Sequence, residues 1–185
     1  MILIALGSNL SVGEQGPSEV LHAAIGQISE RIQIPKVESR FFRTPAFPKG
    51  SGPDFVNAAL KLEGSAPAQK ILTILHDIES EFGRDRLTRW AARGLDLDLI
   101  AIEDQVLPDL GTWQAWHGLS VDEAAQTAPD QLILPHPRLS ERGFVLMPLA
   151  DVAPDWRHPV LEKTVSEMLA ELAPQELDGI VPLSA

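Results

Sequence analysis

The sequence of 185 residues contains 44% hydrophobic residues and no cysteine, and it carries a formal net charge of −11. The length and hydrophobic content suit a single domain with a buried core, and the lack of cysteine excludes disulfides and thiolate chemistry. The acidic balance excludes a general nucleic-acid or anionic-membrane binder, because such partners need an extended basic surface.

The first hundred residues alternate between strand patterns and helix patterns. Apolar runs of strand length indicate the strands. Apolar residues at helical spacing, which follow prolines, indicate the helices. The predicted strands cover residues 1–8, 32–42, 55–63 and 95–103, and the predicted helices cover residues 17–30 and 67–83. The order β-α-β-β-α-β predicts an α+β fold with the ferredoxin-like arrangement.

The remainder of the chain adds helices to this core. They are predicted over residues 142–150 and 161–172, and we expect the tail from residue 174 to 185 to be loose. No internal repeat or low-complexity linker divides the chain, so we expect one domain over residues 1–185. No run of 18 apolar residues is present, so we expect no membrane span. The lack of cysteine is compatible with a reducing compartment, and the expected location is cytoplasmic.

Two aspartates, Asp96 and Asp98, alternate with leucines in the last predicted strand of the core. Because side chains in a strand alternate between faces, both carboxylates point to one face and the leucines to the other. Two such carboxylates repel each other unless a cation lies between them or water screens them. The pair is therefore either a site for one or two Mg²⁺ ions that bridge phosphates, or a solvated acidic face.

Four arginines precede this strand within ten residues: Arg84, Arg86, Arg89 and Arg93. Guanidinium groups suit phosphate oxygens, and surface ion pairs contribute only about 0–1 kcal/mol to stability. A grip on a triphosphate is one interpretation, and a solvated loop paired with the acidic surface is the other. Trp90, in the middle of the cluster, either stacks on a flat ring or covers the core.

Two further polar residues lie in unusual places. Asn57 is an amide inside a strand of core composition, where it either satisfies backbone groups or reads the edge of a heterocycle. His136 lies between two prolines and is either a turn residue or a phosphate contact. Neither a P-loop nor a Gly-x-Gly-x-x-Gly motif is present, so a nucleotide would not bind in a Walker or Rossmann site.

Taken in order, these segments make the chain resemble the 6-hydroxymethyl-7,8-dihydropterin pyrophosphokinases of the folate pathway over most of residues 1–160. The segments that carry the resemblance are Ala5-Leu6-Gly7-Ser8-Asn9-Leu10, Arg43-Thr44-Pro45, Asp54-Phe55-Val56-Asn57-Ala58, Gly83-Arg84, Arg89-Trp90, Arg93-Gly94-Leu95-Asp96-Leu97-Asp98-Leu99, Leu134-Pro135-His136-Pro137-Arg138 and Arg142-Gly143-Phe144-Val145-Leu146. No single segment is sufficient, but the ordered set is highly specific.

The resemblance implies a ferredoxin-like domain that binds MgATP and then the pterin alcohol. It implies transfer of the β,γ-pyrophosphoryl group to the hydroxymethyl oxygen, with release of AMP. Asp96 and Asp98 are then the ligands of two Mg²⁺ ions, and Arg84 and Arg93 contact the phosphates in the catalytic site. We expect a monomer whose partners are ATP and 6-hydroxymethyl-7,8-dihydropterin.

The resemblance also assigns the residues around each substrate. Those that border the nucleotide are Glu79, Arg84, Trp90, Arg93, His136 and Arg142. Phe55 and Phe144 sandwich the pterin, and its edge is read by Asn57 and by the backbone around Thr44 and Phe47.

The sequence departs from the family pattern in several places. Ala91-Ala92 stands where Gly-Pro is usual, and residues 108–130 form an insertion. Trp113 and Trp116 in this insertion either form part of a lid or cover a loop. An alternative class is a non-catalytic ferredoxin-like binding or regulatory module, and a second is a kinase that moves only the γ-phosphate.

Overall fold

The strands of the computed structural model form one antiparallel sheet; the structure describes residues 1–46, 50, 52–83 and 94–184, without the side chains of residues 121, 122 and 125. The strands are β1 (Ile2–Ser8), β2 (Lys36–Glu38), β3 (Phe42–Thr44), β4 (Phe55–Leu62), β5 (Asp96–Ile102) and β6 (Val181–Pro182). Their order is β5-β1-β4-β3-β6. β2 pairs with residues 60–62 of β4, whereas β3 pairs with residues 55–57 of the same strand. This order and the helices between the strands confirm the predicted ferredoxin-like fold.

Two long helices cover one face of the sheet. They are α1 (Pro17–Ile32) and α2 (Ala68–Glu81), and both have prolines at or just before their first turn, as predicted. Their apolar stripes pack on alternate residues of β1 and β5, among them Leu6 and Leu97. Gly83 follows α2 with φ +80°, a conformation that favours glycine and that suits the predicted helix end.

Shorter helices cover the opposite face. Helices α5 (Gly143–Val152) and α6 (Val165–Glu171) pack against Leu3, Ala59 and Ala101 of the sheet. The last helix, α7 (Pro174–Leu177), leads into β6. The sheet is therefore buried on both faces, except at one end of β1, β4 and β5, where polar residues replace apolar ones.

The predicted insertion forms helices α3 (Leu110–His117) and α4 (Val121–Gln126). Asp109 begins α3, and its side chain accepts a hydrogen bond from the N–H of Thr112 at 2.9 Å. Trp113 is fully buried, so α3 belongs to the folded body of the protein. The sequence patterns did not predict this helix.

Three predicted boundaries are wrong. The single strand over residues 32–42 is two strands, because Ser39–Phe41 lie opposite only two residues of β4, and this bulge separates β2 from β3. The hydroxyl of Ser39 accepts the N–H of Ala59 at 2.8 Å, in place of a backbone carbonyl. The helix over 161–172 begins only at Val165, and the tail expected to be loose pairs with β3 through β6.

Candidate active site

The candidate site lies at the end of β1, where Gly7 stands between the two polar groups that the sequence analysis singled out. Gly7 pairs with Asp96 of β5 on one side and with Asn57 of β4 on the other. Residues that are opposite each other in neighbouring strands point to the same face, and neighbouring strands lie about 4.8 Å apart. The acidic pair and the amide therefore share one face of the sheet, about 10 Å apart in backbone position.

The side chains of β5 alternate as the sequence predicts. Leu95, Leu97 and Leu99 are buried under α1 and α2, whereas Asp96 and Asp98 are half-buried on the other face. Carboxylate oxygens on one face, open in part to solvent, fit a hard cation such as Mg²⁺. In the part of the chain that the structure describes, no group of three or more His, Asp or Glu side chains is arranged to hold a metal ion. Phosphate oxygens and water would have to complete the coordination of a metal here.

Glu79 supports β5 from the face that α2 covers. It lies on α2 and is fully buried, and its Oε1 accepts the N–H of Leu97 at 2.9 Å. Leu97 is the residue between the two aspartates, so Glu79 fixes the backbone that carries both carboxylates. That Glu79 borders the nucleotide stays a prediction. The structure shows a second role for Glu79, which is the hydrogen bond to the backbone of Leu97.

The turn that contains His136 is attached to the edge of the same strand. The pairing of β1 with β5 shifts between Leu3 and Ile4 and leaves Ile100 without an opposite residue. The carbonyl of Ile100 accepts the N–H of His136 at 2.8 Å. The bulge in β5 therefore anchors the turn beside the aspartates.

The imidazole of His136 is held in its neutral form. Burial, and then the nearby positive charge of Arg142, lower the pKa of His136 to about 3, while the charge of Asp96 opposes this shift. Nδ1 accepts the N–H of Arg138 at 3.2 Å, so the ring proton lies on Nε2. His136 can therefore donate one hydrogen bond to an anion near Asp96 and Arg142 without carrying a charge.

A buried amide and an aromatic ring lie on the other side of Gly7. Nδ2 of Asn57 donates to Oγ1 of Thr44 at 2.7 Å, and both residues are buried. This bond orients the amide, and its Oδ1 lies over Gly7, where an added Cβ would be only 2.8 Å away. Phe55 is half-buried beside this amide and pairs with Thr44 across the strands.

Phe144 provides an exposed ring at the start of α5. It is 38% exposed, which is unusual for a large apolar side chain, and the guanidinium of Arg142 lies 5.8 Å from the centre of its ring. Arg142 is thus close to both His136 and Phe144.

Several predicted site residues lie outside the described residues. They are Phe47 and the segment that contains Arg84, Arg86, Arg89, Trp90 and Arg93. Gly94 is the first described residue after this segment. The buried hydroxyl of Ser8 donates a hydrogen bond to the carbonyl of Gly94 at 2.5 Å. No role was predicted for Ser8 or Gly7 from the sequence, although both belong to the segment Ala5-Leu6-Gly7-Ser8-Asn9-Leu10, which carries part of the family resemblance.

The site combines a half-buried carboxylate pair, a neutral histidine beside an arginine, and an oriented amide beside the ring of Phe55. This arrangement suits a domain that holds a phosphorylated ligand and its metal next to a flat polar ligand. The family model for 7,8-dihydro-6-hydroxymethylpterin-pyrophosphokinase (HPPK) matches residues 3–154. The chain belongs to this family.

Individual relatives agree with this assignment. The chain is 33% identical to 2-amino-4-hydroxy-6-hydroxymethyldihydropteridine pyrophosphokinase of Haemophilus influenzae over 97% of both chains. It is also 33% identical to the protein of the same name from Synechocystis sp., with 92% of this chain and 75% of the relative covered. In fold it is similar to the crystal structure of Plasmodium falciparum HPPK-DHPS, with a TM-score of 0.61 and 11% identity over 100% of this chain. The chain spans 47% of that larger chain.

Proposed function

We infer that this chain transfers the β,γ-pyrophosphoryl group of ATP to the hydroxymethyl oxygen of 6-hydroxymethyl-7,8-dihydropterin, in the biosynthesis of folate. One observation carries the site assignment. Gly7 lies between Asp96 and Asn57 on a single face of the sheet, so a phosphate-and-metal site and a pocket for a heterocycle are neighbours. A reaction that joins a nucleotide phosphate to a heterocycle requires this adjacency.

The proposed reaction needs only ATP and the pterin alcohol, and one bond to the β-phosphorus forms as another breaks. The hydroxymethyl oxygen attacks the β-phosphorus and loses its proton to solvent, and the bond between the β-phosphorus and the oxygen it shares with the α-phosphate breaks. AMP leaves with that oxygen, and the pterin carries the pyrophosphate. Positioning and neutralisation of charge dominate such transfers, so the site needs no strong base.

Asp96 and Asp98 hold Mg²⁺ in this proposal. A metal held by these two carboxylates would neutralise phosphate charge and would make the attacking alcohol more acidic. Two ions, as the sequence analysis expects, are compatible with two carboxylates on one face. The buried Glu79 keeps the backbone of this pair in place through the N–H of Leu97.

His136 and Arg142 contact the phosphates of the nucleotide. The neutral ring of His136 donates from Nε2, and the guanidinium of Arg142 supplies a permanent positive charge. Arg84, Arg93 and Trp90 complete the nucleotide site in the proposal, as the family resemblance implies. They belong to the segment between Gly83 and Gly94, and Gly94 lies two residues before Asp96.

Phe55, Phe144 and Asn57 bind the pterin. The Oδ1 of Asn57 is an acceptor for the amino group and ring N–H of a 2-amino-4-oxo heterocycle, and Thr44 keeps the amide in that orientation. The exposed ring of Phe144 and the half-buried ring of Phe55 stack on the two faces of the pterin. The backbone near Phe47 completes the edge contacts.

The expected monomer and the cytoplasmic location belong to the same proposal. The absence of cysteine agrees with a reducing compartment. None of the helices in the described ranges has the length and apolarity that a membrane crossing requires.

The test is an assay of AMP release with ATP, Mg²⁺ and the pterin alcohol. We expect AMP and no ADP from the wild type, and little AMP from Asp96→Asn or Asp98→Asn. Circular dichroism checks that both variants keep the fold. ADP as the product would identify transfer of the γ-phosphate alone, and no turnover by the wild type would favour a binding module.

A further inference from the structure

The insertion makes three hydrogen bonds to the turn that contains His136. On α3, Nε1 of Trp113 donates to the carbonyl of Pro135 at 2.7 Å, and Nδ1 of His117 bonds to the carbonyl of Pro137 at 2.8 Å. The guanidinium of Arg138 donates to the carbonyl of Leu119 at 3.1 Å. Residues on both sides of His136 are therefore bonded to the insertion.

The two donors on α3 both bond to the turn that contains His136. Trp113 and His117 are four residues apart, so they lie on one face of the helix, and their rings stack with centres 4.7 Å apart. Their acceptors are the two carbonyls that flank His136 in the chain. Because a carbonyl can only accept, Nδ1 of His117 is the donor in this bond.

Trp113 is closely packed. Its side chain is 1% exposed, and the ring of His158 meets it edge-on at 5.2 Å. Residues 107 and 134, which precede α3 and the turn respectively, also pair through two backbone hydrogen bonds of 2.8 and 3.1 Å. The insertion and the turn therefore form one packed unit at the edge of β5.

A role in packing alone does not explain this pattern. A buried tryptophan that only fills space needs one partner for its N–H, and any nearby carbonyl serves. Here two side chains from one helix face bond to the two carbonyls on either side of a single residue. That residue is His136, which the pairing with Ile100 places beside the aspartates.

We propose that Trp113 and His117 are positioning residues for the nucleotide site. They fix the backbone on both sides of His136, and thereby fix the imidazole and the start of α5 at Arg142 relative to Asp96. The insertion is then a support that sets affinity for the nucleotide. This inference rests on the proposed function only in taking the ligand beside His136 to be ATP.

The test compares Trp113→Phe with Trp116→Phe. The first variant keeps a ring in the same place but removes the donor to Pro135. The second is the matched control, because it makes the same change on the same helix at a half-buried residue. His117→Phe keeps a ring for the stack, removes the donor to Pro137, and serves as a second variant if Trp113→Phe does not fold.

Binding is measured by calorimetry with Mg²⁺ and α,β-methylene-ATP, whose carbon bridge prevents transfer, and separately with the pterin alcohol in the presence of that analogue. We expect the Kd of the nucleotide to rise about five- to tenfold in Trp113→Phe and in His117→Phe, since each loses a hydrogen bond to a buried group. The Kd of the pterin and both Kd values of Trp116→Phe should stay within twofold of the wild type.

The outcomes separate this inference from the proposed function. An unchanged nucleotide Kd in both donor variants, or equal weakening of both ligands, would overturn the positioning role. Binding of the analogue by a wild type that releases no AMP would contradict the proposed function, while the comparison of nucleotide Kd values would still decide the positioning role.

Discussion

Addition of one methyl group at Gly7 should damage the pterin pocket selectively. In Gly7→Ala the new Cβ would lie 2.8 Å from Oδ1 of Asn57, whereas ordinary van der Waals contact begins near 3.4 Å. The amide must move by several tenths of an ångström, but its bond of 2.7 Å to Thr44 resists that movement. The loss of one well-placed hydrogen bond to the ligand costs about 1.4–2.8 kcal/mol, so the Kd of the pterin should rise about 10- to 100-fold.

The assay is calorimetry with the pterin alcohol in the presence of Mg²⁺ and α,β-methylene-ATP. The Kd of the nucleotide should change less than about twofold, because Gly7 contributes no side chain to the acidic half of the site. Gly26→Ala is the matched control, since an added Cβ there meets nothing within 4 Å and the helix should gain about 0.5–1 kcal/mol. A folded Gly7→Ala protein with unchanged pterin affinity would refute the role of the amide.

The remaining predictions concern the metal pair, its support and one buried histidine. Asp96→Asn and Asp98→Asn should each lower kcat for AMP release by about 100-fold or more with little change in unfolding by urea; near-normal turnover would contradict the metal assignment. Glu79→Leu should lower the free energy of unfolding by about 1–3 kcal/mol because it leaves the N–H of Leu97 without its buried acceptor, and Glu79→Gln, which keeps an acceptor, should lose less. Burial, and then the charge of His117, lower the pKa of His158 from 6.5 to about 4, so the unfolded chain takes up this proton first as the pH falls. Stability should therefore fall between about pH 6.5 and 4 by up to about 3 kcal/mol. His158→Asn keeps an acceptor for the N–H groups of residues 160 and 161 and should flatten this dependence in urea titrations, and an equal slope in both proteins would contradict the assignment.

Local periodicity predicted the parts of the site that depend only on neighbouring residues. The alternation of Asp96, Leu97 and Asp98 follows from the two-residue period of a strand, and the structure reproduces it. The β-α-β-β-α-β pattern predicted the ferredoxin-like arrangement, whereas the neighbouring position of Asn57 follows from the strand order of the structure.

Contacts between distant segments could not be predicted in this way. Ser39 interrupts the strand predicted over 32–42 because its hydroxyl bonds to the N–H of Ala59, 20 residues further along the chain. The tail joins β3 through β6, although its own composition indicates no strand. Trp113 could be recognised as a support of the His136 turn only when its bond to Pro135, 22 residues away, was seen. In each case a tertiary partner decided the outcome.

The identity of the products tests the central claim most directly. Wild-type protein is mixed with ATP, Mg²⁺ and 6-hydroxymethyl-7,8-dihydropterin, and the reaction is followed by ³¹P nuclear magnetic resonance. A site that holds the nucleotide beside Asp96 and the pterin beside Asn57 should yield AMP and a pterin pyrophosphate in equal amounts. Formation of ADP with a pterin monophosphate, or no change in the ATP signals, would contradict it.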